Sequence, residues 1–220
     1  MSKQYAVIGL GRFGSSLAQS LTQEDNEVLG IDINEERIEE NREAVRHGVI
    51  ADSTDEQAMK SLGIRNFDVV IVAIGDNMQA SILSVVVLKE LGVKHIVAKA
   101  LSKHHGLILS KVGADDVVYP ERDMGQRIAQ KLMSPSIIEF IKLSDEYSIE
   151  EVRISANITG KSLIELDIRA RFNVNVIAVR YSNNSVKISP EPDYRLKEDD
   201  VLVVIGKNDD LKELEKFNAK

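Results

Sequence analysis

The stretch that decides the fold is Val7-Ile8-Gly9-Leu10-Gly11-Arg12-Phe13-Gly14, which matches the pattern G-x-G-x-x-G. It follows a short apolar run, Tyr5–Ile8, that predicts a buried strand, and it opens a helical stretch. In this setting Gly9 permits a tight turn, Gly11 lets the backbone approach a pyrophosphate, and Gly14 lets the helix pack close to the strand. The N-terminus of the helix presents free N–H groups to phosphate oxygens. The stretch therefore predicts a nucleotide-binding turn of the Rossmann type.

Predicted strands and helices alternate over residues 1–134. The strands are Tyr5–Ile8, Val28–Ile31, Val49–Ile50, Val69–Ile74, Ile96–Val97 and Val117–Val118. The helices are Arg12–Gln23, Glu35–Asn41, Asp55–Leu62, Asn77–Leu91, Lys103–Val112 and Asp123–Leu132. Because the strands are continuously apolar rather than alternating, we expect parallel strands covered on both faces. The predicted fold class is α/β, a Rossmann-type doubly wound parallel sheet followed by a small α+β domain.

The alternation stops at Met133-Ser134-Pro135, where Pro135 disfavours helix at Ser134. We predict a boundary here, with a nucleotide-binding domain over 1–134 and a ligand-binding domain over 135–220. The second domain is expected to open with a short apolar crossover helix, Ile137–Ile141. Its later strands are predicted at Ile149–Ile154, Val174–Tyr181, Val186–Ile188 and Val201–Ile205, with a short helix near Leu163 and a terminal one from Asp209. A unit this small is expected to complete its core by dimerising.

Composition excludes several classes of function. A net charge of −7 without a basic tract argues against nucleic acid as a partner. The chain has no cysteine, which excludes disulfides and thiolate metal sites. The apolar runs are too short for direct membrane insertion, and the N-terminus leaves no room for a signal peptide. We therefore expect a cytoplasmic protein.

Polar residues at the ends of the predicted strands extend the nucleotide site. Asp32 ends the second strand, where a carboxylate accepts hydrogen bonds from ribose hydroxyls. Arg12 either forks onto phosphate oxygens or is an exposed arginine at a helix start. Asp52-Ser53-Thr54 either lines the adenine pocket or only caps the next helix. The predicted cofactor-binding residues are Gly9, Gly11, Arg12, Phe13, Gly14, Asp32, Asp52, Ser53, Ala73, Ile74, Gly75 and Lys99.

Two charged residues follow the fifth and sixth strands at the same edge of the sheet. Lys99 and Glu121 reach the site there, although each alone would read as an ordinary surface charge. The histidines form no metal pattern, since the adjacent His104 and His105 would point about 100° apart on a helix. Helix Asn77–Leu91 is apolar on more than one face, which predicts either a subunit interface or a deeply buried internal helix.

The sequence lacks the residues that a dehydrogenase would need. None of the five tyrosines has a lysine four residues later, and residues 135–220 contain no histidine. Without an acid, base or nucleophile, the nucleotide is expected to act as a signal rather than as a reactant, so we do not expect an enzyme. The alternative is an NAD-dependent oxidoreductase or an NAD-sensing regulator, with NAD as the cofactor.

Several segments together resemble the RCK domains that regulate potassium channels and transporters. They are Val7–Gly14, Val28–Asn34, Ala51–Thr54, Ser61–Ile64, Val70–Gly75, Pro120–Gly125, Leu163–Arg180, Ile188–Pro190 and Glu198–Gly206. The resemblance implies a cytosolic regulatory (gating) subunit, assembled as a homo-octamer (a tetramer of dimers) beneath a membrane potassium-conducting subunit. It implies that ATP and ADP compete for one site, with Arg12 on the terminal phosphates and Asp32 on the ribose. Glu121 is then implied to bind a divalent cation, Mg or Ca, between neighbouring nucleotides.

The same resemblance implies that cyclic di-AMP binds between two copies of the second domain and inactivates transport. Arg169 would fork onto a phosphate and Asn175 would bond a ribose or base edge, in an isologous interface that suits a two-fold symmetric ligand. The expected residues are Ile164, Ile168, Arg169, Ala170, Phe172, Asn173, Val174, Asn175 and Pro190. The alternative is that Arg169 and Arg171 are only solvated and that Ile168 and Phe172 form an ordinary core pair.

Overall fold

A computed structural model describes residues 3–133 and 137–219 of the chain. It divides into two compact units, an N-terminal unit of Met1–Asp123 and a C-terminal unit of Met124–Lys220. Within the described ranges, every helix is too short or too polar to cross a membrane. The boundary predicted between residues 134 and 135 falls on residues 134–136, outside the described part of the chain, and it stays a prediction.

The N-terminal unit is a six-stranded parallel sheet in the order β3-β2-β1-β4-β5-β6. Its strands are β1 Gln4–Ile8, β2 Glu27–Asp32, β3 His47–Ile50, β4 Val69–Val72, β5 Ile96–Lys99 and β6 Asp116–Val118. Its helices are α1 Arg12–Gln23, α2 Glu35–Glu40, α3 Glu56–Ser61, α4 Met78–Glu90 and α5 Lys103–Val112, and α6 Pro120–Met133 continues into the C-terminal unit. The strand order reverses between β1 and β4, which is where ligands bind in open α/β sheets. The predicted doubly wound fold is confirmed.

Buried apolar clusters explain why the strands lack alternation. One cluster joins Ile8 and Val72 to Met59, Leu88 and Leu109. Another lies on the opposite face of the sheet and joins Val7 and Ile71 to Leu10, Ala18 and Ile38. Because side chains at successive positions of a central strand enter different clusters, each strand must be apolar throughout.

Helix α4 is not the fully internal helix that one alternative predicted. Ser81, Ser84, Val85 and Leu88 are buried, whereas Met78 and Leu83 remain exposed. The apolar surface left open is compatible with the predicted subunit interface, which stays a prediction.

The C-terminal unit contains a five-stranded antiparallel sheet in the order β10-β9-β11-β8-β7. Its strands are β7 Ile137–Lys142, β8 Tyr147–Arg153, β9 Asn175–Arg180, β10 Val186–Ile188 and β11 Val201–Lys207. Its helices are α7 Leu163–Leu166, α8 Ile168–Phe172 and α9 Asn208–Ala219. Leu202 and Val204 of the sheet pack with Leu196, Leu211 and Leu214 in the core. The predicted small α+β domain is confirmed.

One local prediction in this unit was wrong. The expected crossover helix Ile137–Ile141 is the edge strand β7, paired antiparallel with β8. The segment is rich in isoleucine, whose β-branched side chain favours a strand, and the Ser144-Asp145-Glu146 turn returns it as a hairpin. The short helix expected near Leu163 is confirmed as α7, and a second short helix, α8, follows it after Asp167, which adopts a φ of +42°.

Candidate functional site

The glycine-rich turn has the geometry that its three glycines predict. Gly9 has a φ of +93°, and a Cβ there would lie 3.2 Å from the backbone of Ala73 and Ile74. A Cβ on Gly14 would lie only 1.9 Å from the Gly9 carbonyl oxygen, so α1 requires glycine at this position. A Cβ on Gly11 would meet nothing within 4 Å. No contact within the chain therefore requires glycine at position 11. The space beside Gly11 lies at the N-terminus of α1, which is where a pyrophosphate would lie.

Asp32 links the end of β2 to this turn. Its side chain is buried and accepts hydrogen bonds from the N–H of Leu10 at 2.7 Å and of Asn34 at 2.9 Å. Each carboxylate oxygen has a second lone pair, so acceptor capacity remains for ribose hydroxyls. The residue predicted to hold the ribose therefore also fixes the backbone of the phosphate-binding turn.

A residue absent from the predictions, Arg37, lies beside Asp32. From α2 its Nη1 lies 3.5 Å from Asp32 Oδ2, and its Nη2 lies 3.5 Å from Asp76 Oδ2, after β4. The negative charge of Asp32, followed by the contacts of Asp76, raises the pKa of the Arg37 guanidinium above its ordinary value. In the sequence Arg37 is one basic residue in an acidic helix, and nothing local indicates that it reaches a residue 39 positions later.

Positive charge gathers at the opposite side of the glycine turn. Lys99 is only 7% exposed, and its Nζ donates to Glu121 Oε1 at 2.5 Å and lies 5.6 Å from the centre of the Phe13 ring. A Cβ on Gly75 would lie 3.3 Å from that Nζ, so glycine at the end of β4 leaves room for the ammonium. The pKa of Glu121 is held below its ordinary value, first by the hydrogen bond from Lys99 and further by the charges of Lys99 and Arg12. Lys99 is therefore a buried cation of the site rather than an ordinary surface charge.

The residues after β3 divide between interior and surface. Ser53 is buried and shares a hydrogen bond of 2.6 Å with Ser84 of α4, whereas Asp52 is exposed and accepts from the N–H and hydroxyl of Thr54. The N-cap of α3 is Asp55, so the expectation that Asp52-Ser53-Thr54 only caps this helix was wrong. Asp52 remains at the sheet edge predicted for the adenine pocket.

Residues predicted to bind cyclic di-AMP fall into two groups in the C-terminal unit. Ile164, Arg169, Ala170, Asn173 and Asn175 are exposed, and Pro190 is half-buried. Asn173 also donates to Asp210 at 3.1 Å. This exposed group offers apolar contact, a guanidinium and amides to a ligand.

The remaining predicted residues belong to the core. Ile168 and Val174 are buried, and Phe172 is half-buried against Phe217 with ring centres 5.2 Å apart. The side chains of Ile168 and Val174 pack in this core, and their contact with a ligand stays a prediction. An apolar residue in a short amphipathic segment has the same sequence pattern in either role. The Arg171 guanidinium lies 4.3 Å from the centre of the Phe217 ring, which is a packing role.

The described residues do not group three or more potential metal ligands of the His, Cys, Asp and Glu types. Among the described residues, Glu121 is therefore not part of such a group, and its carboxylate accepts a hydrogen bond from Lys99. A divalent cation at Glu121 would need oxygen ligands from a nucleotide or from a second copy of the chain.

Comparison with known families matches almost the whole chain. The TrkA-N domain matches residues 5–120 and the TrkA-C domain matches residues 149–219. Ktr system potassium uptake protein C from Bacillus subtilis (strain 168) is 45% identical over 216 residues, 98% of this chain and 97% of that protein. Ktr system potassium uptake protein A from the same organism is 44% identical over 214 residues, 97% of this chain and 96% of that protein.

Solved structures of the GsuK channel share the fold. One matches 99% of this chain and 40% of the channel chain, with a TM-score of 0.71 and 20% identity. The structure described as GsuK bound to ADP matches 60% of this chain and 34% of that chain, with a TM-score of 0.51 and 25% identity.

Proposed function

We propose that this chain is a regulatory subunit of a potassium uptake system. The chain belongs to the family built from a TrkA-N and a TrkA-C domain, the RCK family. The two relatives of 44–45% identity are Ktr potassium uptake proteins that this chain matches over nearly their full lengths. The proposed partner is a membrane potassium-conducting subunit, and the proposed location is the cytoplasmic face of the membrane. The proposed assembly is a homo-octamer, a tetramer of dimers.

The proposed ligand of the N-terminal unit is an adenine nucleotide, with ATP and ADP in competition. The observation that carries this proposal is the distribution of charge about the glycine turn, with Arg12 and Lys99 on one side and Asp32 on the other. Cations favour the phosphates and the carboxylate favours the ribose, so the site has the polarity of a nucleotide. A ligand changes the assembly only through different affinities for its two states, and the γ-phosphate is the group that distinguishes ATP from ADP. Glu121 is proposed to bind Mg or Ca once the phosphates engage Lys99.

Calorimetric titration of the full chain with ATP, ADP and NADH tests the nucleotide proposal. We expect ATP and ADP to bind better than NADH, and Asp32→Ala to weaken both by about 1.5–3 kcal/mol, the scale of a hydrogen bond to a charged group. Glu40→Ala, an exposed carboxylate on α2, is the matched control and should leave both affinities unchanged. NADH binding much more tightly than ATP would favour the alternative of an NAD-sensing regulator.

For the C-terminal unit we propose cyclic di-AMP, bound between two copies by the exposed group that includes Arg169 and Asn175. Its two phosphates suit a surface where each copy offers the same guanidinium. Arg169→Ala in the full chain should abolish most of the binding, whereas Arg153→Ala, another exposed arginine of this unit, should not. Full binding by Arg169→Ala would contradict this assignment.

A further inference from the structure

The Arg37 side chain is held at both ends of its guanidinium. Nη1 faces Asp32 at the end of β2, and Nη2 faces Asp76 in the segment after β4, each at 3.5 Å. Asp32 ends β2 and Asp76 follows β4, and these two strands lie on opposite sides of β1, which leads into the glycine turn. The Arg37 side chain therefore spans the crevice beside the point where the strand order reverses.

Both contacts are made at the Nη atoms, at the edge of the guanidinium. Hydrogen bonds to a guanidinium lie in its plane, whereas a ring that stacks on it occupies a face, so the two interactions do not compete. The side chain is 39% exposed, which means that two ion-pair partners have not enclosed it. The buried Asp32 restricts the guanidinium before a ligand arrives, and Asp76, whose side chain is 73% exposed, adds a weaker contact at its other Nη. Less conformational entropy is then lost when a ring stacks on it.

The surrounding charge limits what Arg37 can recognise. Asp32 and Asp76 already share the single positive charge of Arg37, and the exposed Asp52 follows β3, the strand next to β2. A further phosphate at this end of the site would meet more negative than positive charge, so Arg37 is not a receptor for a 2′-phosphate. The residue after Asp32 is Ile33, whose side chain is 70% exposed and offers apolar contact. A planar, uncharged and partly apolar group suits these surroundings, and the base of a nucleotide is such a group.

We infer that Arg37 is a specificity-determining residue that stacks on the base of the bound nucleotide, with Asp32 and Asp76 holding its plane across the crevice. The inference rests on the proposed nucleotide site and adds to it the means of selecting a purine. Stacking strength grows with ring area, so Arg37 favours purine over pyrimidine nucleotides. It acts on ATP and ADP alike, because they carry the same base.

The test compares Arg37→Lys with the unaltered full chain by calorimetric titration with ATP, ADP and UTP. Lysine keeps the charge but lacks the plane that stacks on a base, so ATP and ADP should each bind about two- to fivefold more weakly. The affinity for UTP should fall by a smaller factor, so the ratio of ATP to UTP affinity should fall. Arg42→Lys is the matched control, since Arg42 lies just beyond α2 and pairs with Glu39 at the surface.

The outcomes separate this inference from the proposed function. A stacking role predicts a smaller ATP to UTP ratio, whereas a residue that only neutralises carboxylates would leave the ratio unchanged. Unchanged ATP affinity in Arg37→Lys, or equal fold losses for ATP and UTP, overturns the inference while nucleotide binding by the unaltered protein stands. If the unaltered protein binds neither ATP nor ADP, the proposed function itself fails and the inference falls with it.

Discussion

Replacing Glu150 with glutamine should stabilise the C-terminal unit at pH 8 and leave its stability unchanged near pH 4. Glu150 lies on β8 and is 7% exposed. Helix α9 is tied to β8 on either side of it, by Asn208 at Ser148 and by Asn218 at the Arg153 carbonyl. Burial, followed by the negative charge of Glu215, raises the pKa of Glu150 from 4.5 to about 7, and Lys212 opposes this rise.

The sign and size of the effect follow from linkage between protonation and folding. The folded chain holds the Glu150 proton more tightly than the unfolded chain, so the free energy of unfolding falls as pH rises from 4.5 to about 7. At about 1.4 kcal/mol for each pH unit, the full loss above pH 7 is on the order of 3 kcal/mol. Glutamine has the shape of the protonated acid and does not ionise, so Glu150→Gln recovers this amount at pH 8.

Hydrogen exchange of α9 and β8 peptides measures the effect locally, because it reports opening of the C-terminal unit without requiring the whole chain to unfold as one. Glu151→Gln is the neighbouring control. The Glu151 carboxylate pairs with Arg180 at 2.6 Å, so replacing it with glutamine should not increase the free energy of unfolding at pH 8. If Glu150→Gln protects α9 equally at pH 5 and pH 8, the reasoning about a buried carboxylate is wrong.

Four further predictions concern the N-terminal unit. Arg12→Ala should lower ATP affinity more than ADP affinity in calorimetric titration, and equal losses would mean that Arg12 is a general phosphate contact. Leu83→Glu should lower the assembled mass measured by light scattering, whereas the exposed Gln79→Glu on the same helix should not; an unaltered protein that is monomeric would contradict the interface. Gly14→Ala should destabilise the unit by about 1–3 kcal/mol or more in thermal unfolding, because its Cβ meets the Gly9 carbonyl. Gly11→Ala should unfold at the same temperature as the unaltered protein but bind nucleotide more weakly. A large loss of thermal stability in this variant would contradict the proposal that the space beside Gly11 is occupied by a ligand.

The elements that sequence predicts well are those whose causes are local. The glycine turn and α1 follow from contiguous residues, and the predicted helix Arg12–Gln23 matches the observed bounds. Asp32 was identifiable because a strand end fixes its place relative to the turn. In β7 the local signal was ambiguous, since a short segment with four apolar residues among six satisfies a helix or a strand, and pairing with β8 decided between them.

The contacts that the sequence did not reveal join residues that lie far apart along the chain. Val174 is buried against the later strand β11, where a Cβ on Gly206 would lie 3.0 Å from its side chain. Lys99 and Glu121 were expected at one edge of the sheet, but their direct pairing depends on how α6 begins after β6. Arg37 was missed because both of its partners are set by the sheet topology and neither by its own helix.

The N-terminal site separates its charges, and this separation gives a nucleotide one orientation. Arg12 and Lys99 lie on the side of α1 and α6, whereas Asp32 and Asp76 lie with Arg37 on the side of α2. A nucleotide bound in reverse would place its phosphates against two carboxylates that share one guanidinium, and would leave Arg12 and Lys99 without a phosphate. The proposed sensing of a γ-phosphate requires one orientation, because Arg12 can distinguish ATP from ADP only if the triphosphate always points toward it. The acidic side of the site is therefore as necessary to that discrimination as the basic side.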